Sequence, residues 1–198
     1  IEVVDAARKL GLDCVEAERP RSRKKASDEF PSVILLEITN RCNFFCKMCP
    51  RNFMEWELVD IEMDVFKKLI DEISGYDISS LLLYNIGESM LHPRFFEMLE
   101  YVDSKNIHPT WLSTNGENLT EENSIRLLNS NLDYLNFSLN ALDREAHEEI
   151  SRKDQFDRVM ENLNRFLALK KKMNKRKPFL RVQIIDQPEV HHQVAQFI

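Results

Sequence analysis

An α/β fold of parallel strands, opened out as a partial (β/α) barrel, is the architecture the sequence predicts. Five short apolar runs of strand length recur, amphipathic helical stretches separate them, and polar clusters follow the strands. Such alternation implies right-handed crossovers within one sheet. It leaves a barrel, a partial barrel or a doubly wound open sheet. A complete eight-fold barrel takes about 250 residues, and this chain has 198.

The first thirty residues read as an appendage. Val3 to Leu10 suits a short helix ended by Gly11. Glu16 to Glu29, with Arg19, Arg21, Arg23, Lys24 and Lys25, reads as an exposed charged linker. Residues 31–198 form the expected core. Val33 to Ile38 is nearly unbroken apolar sequence, the pattern of a strand covered on both faces. Met63, Phe66, Leu69, Ile70 and Ile73 then share one helix face, with Asp60 as N-cap and Gly75 past the end. Ser80 to Tyr84 is the second strand. Pro93 suits the first turn of a helix carrying Phe96, Leu99 and Val102. His108 to Ser113 is the third strand, and Thr120 caps a helix with Ile125 and Leu128. After the fourth strand, Asp133 to Ser138, a longer helix carries Phe156, Val159, Leu163 and Phe166. It closes on Lys170, Lys171 and Lys172, cations that favour a helix C-terminus. Phe179 to Ile185 is the fifth strand. Gln193, Val194, Phe197 and Ile198 begin a helical stripe and stop, so the barrel is expected to be truncated after that strand.

Composition narrows the function classes. Hydrophobic residues at 43% and charged residues at 30% suit a globular chain with a core, and four glycines rule out collagen-like and low-complexity readings. No apolar run approaches the ~20 residues of a membrane-spanning helix, so no membrane insertion is expected. Net charge is 27 − 33 = −6, which disfavours generic nucleic-acid binding.

Chemistry centres on cysteine. Cys42, Cys46 and Cys49 form a C-x3-C-x2-C triplet directly after the first strand, in a loop flanked by Asn40, Arg41 and Asn43, whereas Cys14 lies far upstream. A disulfide framework would spread its cysteines along the chain, so the cluster reads as a metal site in a reducing, cytoplasmic setting. Thiolates are soft ligands for zinc or iron–sulfur clusters. Three close ligands hold three corners of a cubane and leave one iron open. Structural zinc and a ferredoxin-type carrier would each want a fourth ligand. A non-enzymatic iron–sulfur or zinc module for electron transfer or assembly is the alternative. Cys42, Gly87, Asn115 and Ser138 each follow a different predicted parallel strand, and those loops converge on one sheet edge, where active sites sit. That convergence favours an enzyme.

The stretch Cys42-Asn-Phe-Phe-Cys-Lys-Met-Cys49 resembles the signature of the radical S-adenosylmethionine (radical SAM) enzymes, and the likeness runs from about Val33 to the end. Leu36 to Asn43, with Pro50-Arg51, resembles the branch whose TIM-like partial barrel is followed by a cysteine-rich auxiliary-cluster (SPASM/twitch-like) domain, absent here. The resemblance implies that Cys42, Cys46 and Cys49 hold a 4Fe–4S cluster whose open iron is chelated by S-adenosylmethionine. It further implies that reductive cleavage yields a 5′-deoxyadenosyl radical that abstracts hydrogen from a substrate. Gly87-Glu88 resembles the family's Gly-Gly-Glu-Pro, which receives the methionyl ammonium, with Ile86 and Ser89 as departures. Ser113-Thr114-Asn115-Gly116 resembles the turn beside the nucleoside and methionine. Ser138-Leu-Asn140 resembles a serine–x–aspartate segment facing the ribose or carboxylate, with Asn140 where aspartate is commoner. Met48 stands where an aromatic usually flanks adenine, and Arg152 where some members bind the carboxylate. The implied partners are reduced flavodoxin or ferredoxin as electron donor, and a small molecule or peptide as substrate ahead of nucleic acid.

Overall fold

The computed structural model describes residues 24–25 and 30–197. The expected Val3–Leu10 helix, Cys14 and the charged stretch apart from Lys24–Lys25 lie outside the described residues. Five strands form one sheet: β2 (Val33–Leu35), β4 (Ser80–Leu82), β5 (Thr110–Thr114), β6 (Tyr134–Ser138) and β7 (Phe179–Gln183). All neighbours run parallel, and their spatial order β2-β4-β5-β6-β7 follows chain order. The order never reverses, so there is no switch point. Successive crossovers advance in one direction, as in a barrel and unlike a doubly wound sheet. β2 and β7 are the two edges, and the sheet stays open.

The crossovers carry α1 (Met63–Ile73), α2 (Phe95–Ser104), α3 (Glu121–Asn129), α4 (Arg144–Ser151) and α5 (Phe156–Lys172), and α6 (His191–Phe197) follows β7. Their apolar stripes pack Phe66, Ile70, Met98, Leu99, Leu163 and Phe166 against Leu81, Leu112, Leu135 and Phe137 of the strands, all essentially inaccessible. Each such side chain contributes roughly 1.5–3 kcal/mol of burial. Alternation along a strand sends the intervening residues to the concave face. Register places Leu35, Leu82, Trp111, Tyr134 and Phe179 across one level of that face. Ser113, Asn136 and Arg181 form the next, and Ser138 with Gln183 the one above. Strand C-terminal ends, and the loops after them, lie above this last row.

Several expectations are corrected. Val33–Ile38 is not covered on both faces: β2 is an edge strand of three residues, and Val33 and Leu35 are 54% and 50% exposed. Lys24–Lys25, read as linker, forms a short strand β1 that pairs in parallel with β3 (Tyr76–Asp77), apart from the main sheet. Asp60 does not cap α1. Its carboxylate instead accepts from Thr39 Oγ1 (2.6 Å) and Arg41 Nε (3.2 Å), tying down the segment before the cysteines. Pro93 lies just outside α2, whose buried face is Phe95, Met98, Leu99 and Val102, with Phe96 only half-buried beneath the Arg126 guanidinium. Thr120 caps α3 as expected, its side chain accepting from Asn123 N (3.3 Å). Helix α4 was not expected from a stretch with few apolar residues; Asp143 starts it by accepting from Ala146 N (2.9 Å).

Candidate active site

A cleft of about 280 Å³ opens at the C-terminal ends of the strands. Cys42, Cys46, Cys49, Met48, Gly87, Glu88, Ser113, Thr114, Asn115, Ser138 and Asn140 all line it. Of the residues singled out from sequence, Arg152 is the exception. It is exposed, in the left-handed conformation that ends α4 (φ 56°), and does not line the cleft.

The cysteine loop is held by backbone bonds to helix α4. Phe45 N and Lys47 N donate to the Ser151 and Ile150 carbonyls (3.2 and 2.7 Å), so the loop satisfies helix-end acceptors that would otherwise be orphaned. Asn52 Nδ2 donates to the Cys46 carbonyl (2.7 Å), and Arg51 Nη2 to that of Phe44 (2.6 Å). Met48 packs beside Ala141, Ala146, Ile150 and Val190 on one side and borders the cleft on the other.

The second wall depends on glycine. At Gly87 an added Cβ would overlap the Thr39 carbonyl, so only glycine lets this backbone pass the segment before Cys42. Glu37 fixes the turn, accepting from Ile86 N (2.9 Å) and Gly87 N (3.0 Å) through one carboxylate oxygen. Glu88 is buried. Its Oε2 accepts from Asn115 N (2.8 Å) and Thr114 Oγ1 (3.2 Å), and its Oε1 from Met90 N (3.4 Å). Burial pushes its carboxyl up to about 7, against the pull of these donors. Glu88 therefore ties the loop after β4 to the loop after β5.

The third wall is the turn Thr114–Glu117. Gly116 has φ +82°, and a Cβ there would strike the Phe137 ring. Asn162 of α5, buried, donates to both the Gly116 and Glu117 carbonyls (2.8 and 2.9 Å). On the fourth wall Ser138 Oγ meets Ser113 Oγ (3.3 Å). Asn140, itself left-handed (φ 61°), accepts from Ile185 N through its amide oxygen (3.3 Å).

Sequence reasoning missed a polar chain behind the cysteines. Asn115 Nδ2 donates to Asn43 Oδ1 (2.8 Å) and lies 3.9 Å from Cys42 Sγ. Asn43 Nδ2 donates to Glu117 Oε2 (2.5 Å), which Lys153 Nζ also reaches at 2.7 Å. Its members lie up to 110 residues apart, so no local motif marks it. His147 was missed too. It is buried against Phe44 and Phe156, and burial lowers its pKa.

The donor set fits a polynuclear cluster. Burial raises the Cys42 thiol and pushes that of Cys46 up to about 12, so stable thiolates require a strongly cationic group at the loop. Three soft thiolates carried on one loop at the cleft are the ligand type that iron–sulfur clusters take.

Comparison with known proteins agrees with this geometry. Residues 36–175 match the family model of the Radical SAM superfamily. The tungsten-containing aldehyde ferredoxin oxidoreductase cofactor-modifying protein of Pyrococcus furiosus is 27% identical over 164 residues, 82% of this chain and 46% of that protein. The GTP 3′,8-cyclase of Chlorobaculum tepidum is 29% identical over 136 residues, 68% of this chain and 41% of that enzyme. The chain thus spans less than half the length of these curated relatives. Among solved structures, Streptococcus suis SuiB bound to S-adenosylmethionine superposes with a TM-score of 0.67 at 18% identity, over 85% of this chain and 37% of SuiB. That likeness is one of fold, an open parallel α/β barrel.

Proposed function

The chain belongs to the Radical SAM superfamily of enzymes, and from that premise we propose that its cleft binds a 4Fe–4S cluster and S-adenosylmethionine to generate a substrate radical. The observation that carries this is the convergence of three cysteines and four post-strand loops on one cleft. When bound, the cluster and S-adenosylmethionine would supply one-electron reductive cleavage of the sulfonium and the hydrogen-abstracting chemistry that follows from it.

The chain's own residues bind, orient and shield. Cys42, Cys46 and Cys49 would be the cluster's protein ligands. Glu88 accepts from the methionyl ammonium while keeping the Asn115 turn in place, and the Thr114–Gly116 backbone borders the nucleoside. Ser113, Ser138 and Asn140 offer hydroxyl and amide groups to ribose and carboxylate, and Met48 offers a polarizable thioether to the adenine. A low-potential carrier, reduced flavodoxin or ferredoxin, supplies the electron, and the substrate is a small molecule or peptide entering from the concave face. No helix of the described residues is long and apolar enough to cross a membrane.

The test is anaerobic reconstitution. We expect one site-differentiated 4Fe–4S cluster whose EPR spectrum changes on adding S-adenosylmethionine, and 5′-deoxyadenosine after reduction. Cys42→Ala, Cys46→Ala and Cys49→Ala should each abolish both, whereas Cys14→Ala should spare them. Normal iron content and turnover in any of the three would overturn the assignment.

A further inference from the structure

Beneath the cleft the concave face carries Asn136 and Arg181, neither of which lines it. Asn136 and Arg181 stand in register two residues deeper than Ser138 and Gln183, roughly 7 Å along the strands. Asn136 is buried and fully engaged. Its Nδ2 donates to Ser113 Oγ (3.0 Å) and Gln183 Oε1 (2.9 Å), while its Oδ1 accepts from Arg181 Nε (3.1 Å). The guanidinium lies over the Trp111 ring, 5.2 Å from its centroid, and Trp111 is itself stacked on Tyr134 at 3.9 Å. Arg181 is thus held from one side by an amide and from below by a ring, with the edge bearing its two Nη groups left open.

What it lacks is a counter-charge. This chain has a net charge of −6 and pairs many of its cations: Arg41 with Asp60, Arg144 with Asp154, Lys153 with Glu117, Lys177 with Asp133. Among the described residues no carboxylate pairs with Arg181, and its one hydrogen bond is to the neutral Asn136. Glu37, just after β2, spends one carboxylate oxygen on the Ile86 and Gly87 N–H groups. Tyr84, half-buried after β4, feels the Arg181 charge, and its hydroxyl has no protein partner among the described residues. Arg181 is exposed, yet one hydrogen bond and the aromatic floor orient its fork of donors, which matches the geometry of a carboxylate or phosphate.

We propose that Arg181, positioned by Asn136 and Trp111, anchors an oxyanion group of the substrate, holding the rest of that molecule up toward the cleft. This rests on the radical reading of the cleft given above and names its substrate class: a molecule bearing a carboxylate or a phosphate. A bidentate anchor at a fixed depth would set which carbon faces the reacting centre, since proximity and orientation decide where a radical acts.

The experiment uses the anaerobically reconstituted chain in a Trp56→Phe background, leaving Trp111 as the one tryptophan. At low ionic strength, where exposed charges are least screened, its fluorescence is titrated with phenyl phosphate, phenylacetate and neutral benzyl alcohol. We expect at least one of the two anions to bind about tenfold or more tighter than the alcohol, and the stronger arm to identify phosphate or carboxylate as the group recognised. Arg181→Gln should remove that preference and Arg181→Lys should retain part of it. Equal binding of anion and alcohol, or a preference that survives Arg181→Gln, overturns the proposal. So does a parallel loss of S-adenosylmethionine affinity in Arg181→Gln, which would assign the guanidinium to the cofactor. Iron content and the cofactor-induced EPR change of the unsubstituted chain report on the parent reading separately. If they fail, the radical chemistry falls; if they hold while anion preference is absent, only the anchor falls.

Discussion

At the scale of single residues, Glu88 is where charge and architecture compete. A carboxylate with no water around it is costly, and three donors offset only part of that cost. Replacing it with glutamine keeps the shape but loses the charge that would receive an ammonium. S-adenosylmethionine affinity should fall roughly tenfold to a hundredfold, the equivalent of ~1.5–3 kcal/mol, by calorimetry. Cluster assembly should be normal. The same carboxyl sets a pH signature in the cofactor-free chain. Its folded-state pKa, about 7, lies above the ordinary value of 4.5, so its protonated form is favoured by folding. That contribution is fully present below pH 4.5 and is lost as pH rises through 7. Urea unfolding should therefore show Glu88→Gln gaining on the natural chain between pH 5 and 8, by up to roughly 3 kcal/mol. A constant difference across that range would show that Glu88 is ionised throughout.

The elements explain why the turn after β5 can sit where it does. Gly116 adopts a left-handed conformation against the Phe137 ring, and Asn162 of α5 clamps the two carbonyls that follow the turn. Gly116→Ala should cost roughly 1–3 kcal/mol from backbone strain alone, with overpacking against Phe137 in addition. Asn162→Ala, which leaves the Glu117 carbonyl without its donor while Gly116 O keeps the Leu119 N–H (3.2 Å), should cost roughly 1–3 kcal/mol. Both should weaken cofactor binding beyond their effect on stability, because Glu88 and Asn115 share this turn. Chemical unfolding paired with S-adenosylmethionine titration separates the two effects, and unaltered affinity in both variants would make the turn merely structural.

Across the whole molecule the two ends of the sheet are built for different work. The strand C-termini carry the cleft, while at the opposite end Asp133 is buried at the entrance to β6. It accepts from Thr110 N (2.8 Å), His108 Nδ1 (2.8 Å) and the Lys177 ammonium. These partners hold its carboxyl below the usual range despite burial. The lowered value means that its contribution is present above pH 3.8 and is lost as pH falls through the folded-state value. Asp133→Asn should cost roughly 1–3 kcal/mol at neutral pH; Lys177, 41% exposed, adds little through charge alone. Five residues of strand, roughly 17 Å, separate Asp133 from Ser138, so iron uptake per folded chain should be unchanged. Reduced iron stoichiometry in folded Asp133→Asn would contradict this division.

Sequence alone determined what depends on local pattern. Cys42, Cys46 and Cys49 sit close enough in the chain for their spacing to be read directly, and the five apolar runs at Val33, Ser80, His108, Asp133 and Phe179 each became a strand of one parallel sheet. The loops carrying Gly87, Asn115 and Ser138 were placed at one edge by the rule that parallel strands share a C-terminal end. Tertiary structure decided what depends on partners distant in the chain. Whether an apolar strand is buried on both faces depends on its position in the sheet, so Val33 and Leu35 mislead until β2 is seen at an edge. Asp60 looks like a helix cap until Thr39 and Arg41 arrive to claim its carboxylate. Arg152 and Arg181 are indistinguishable as isolated arginines, yet one ends a helix in solvent and the other lies over Trp111 in register with Asn136. Register and burial come from contacts between segments, and no single segment encodes the neighbour it will meet.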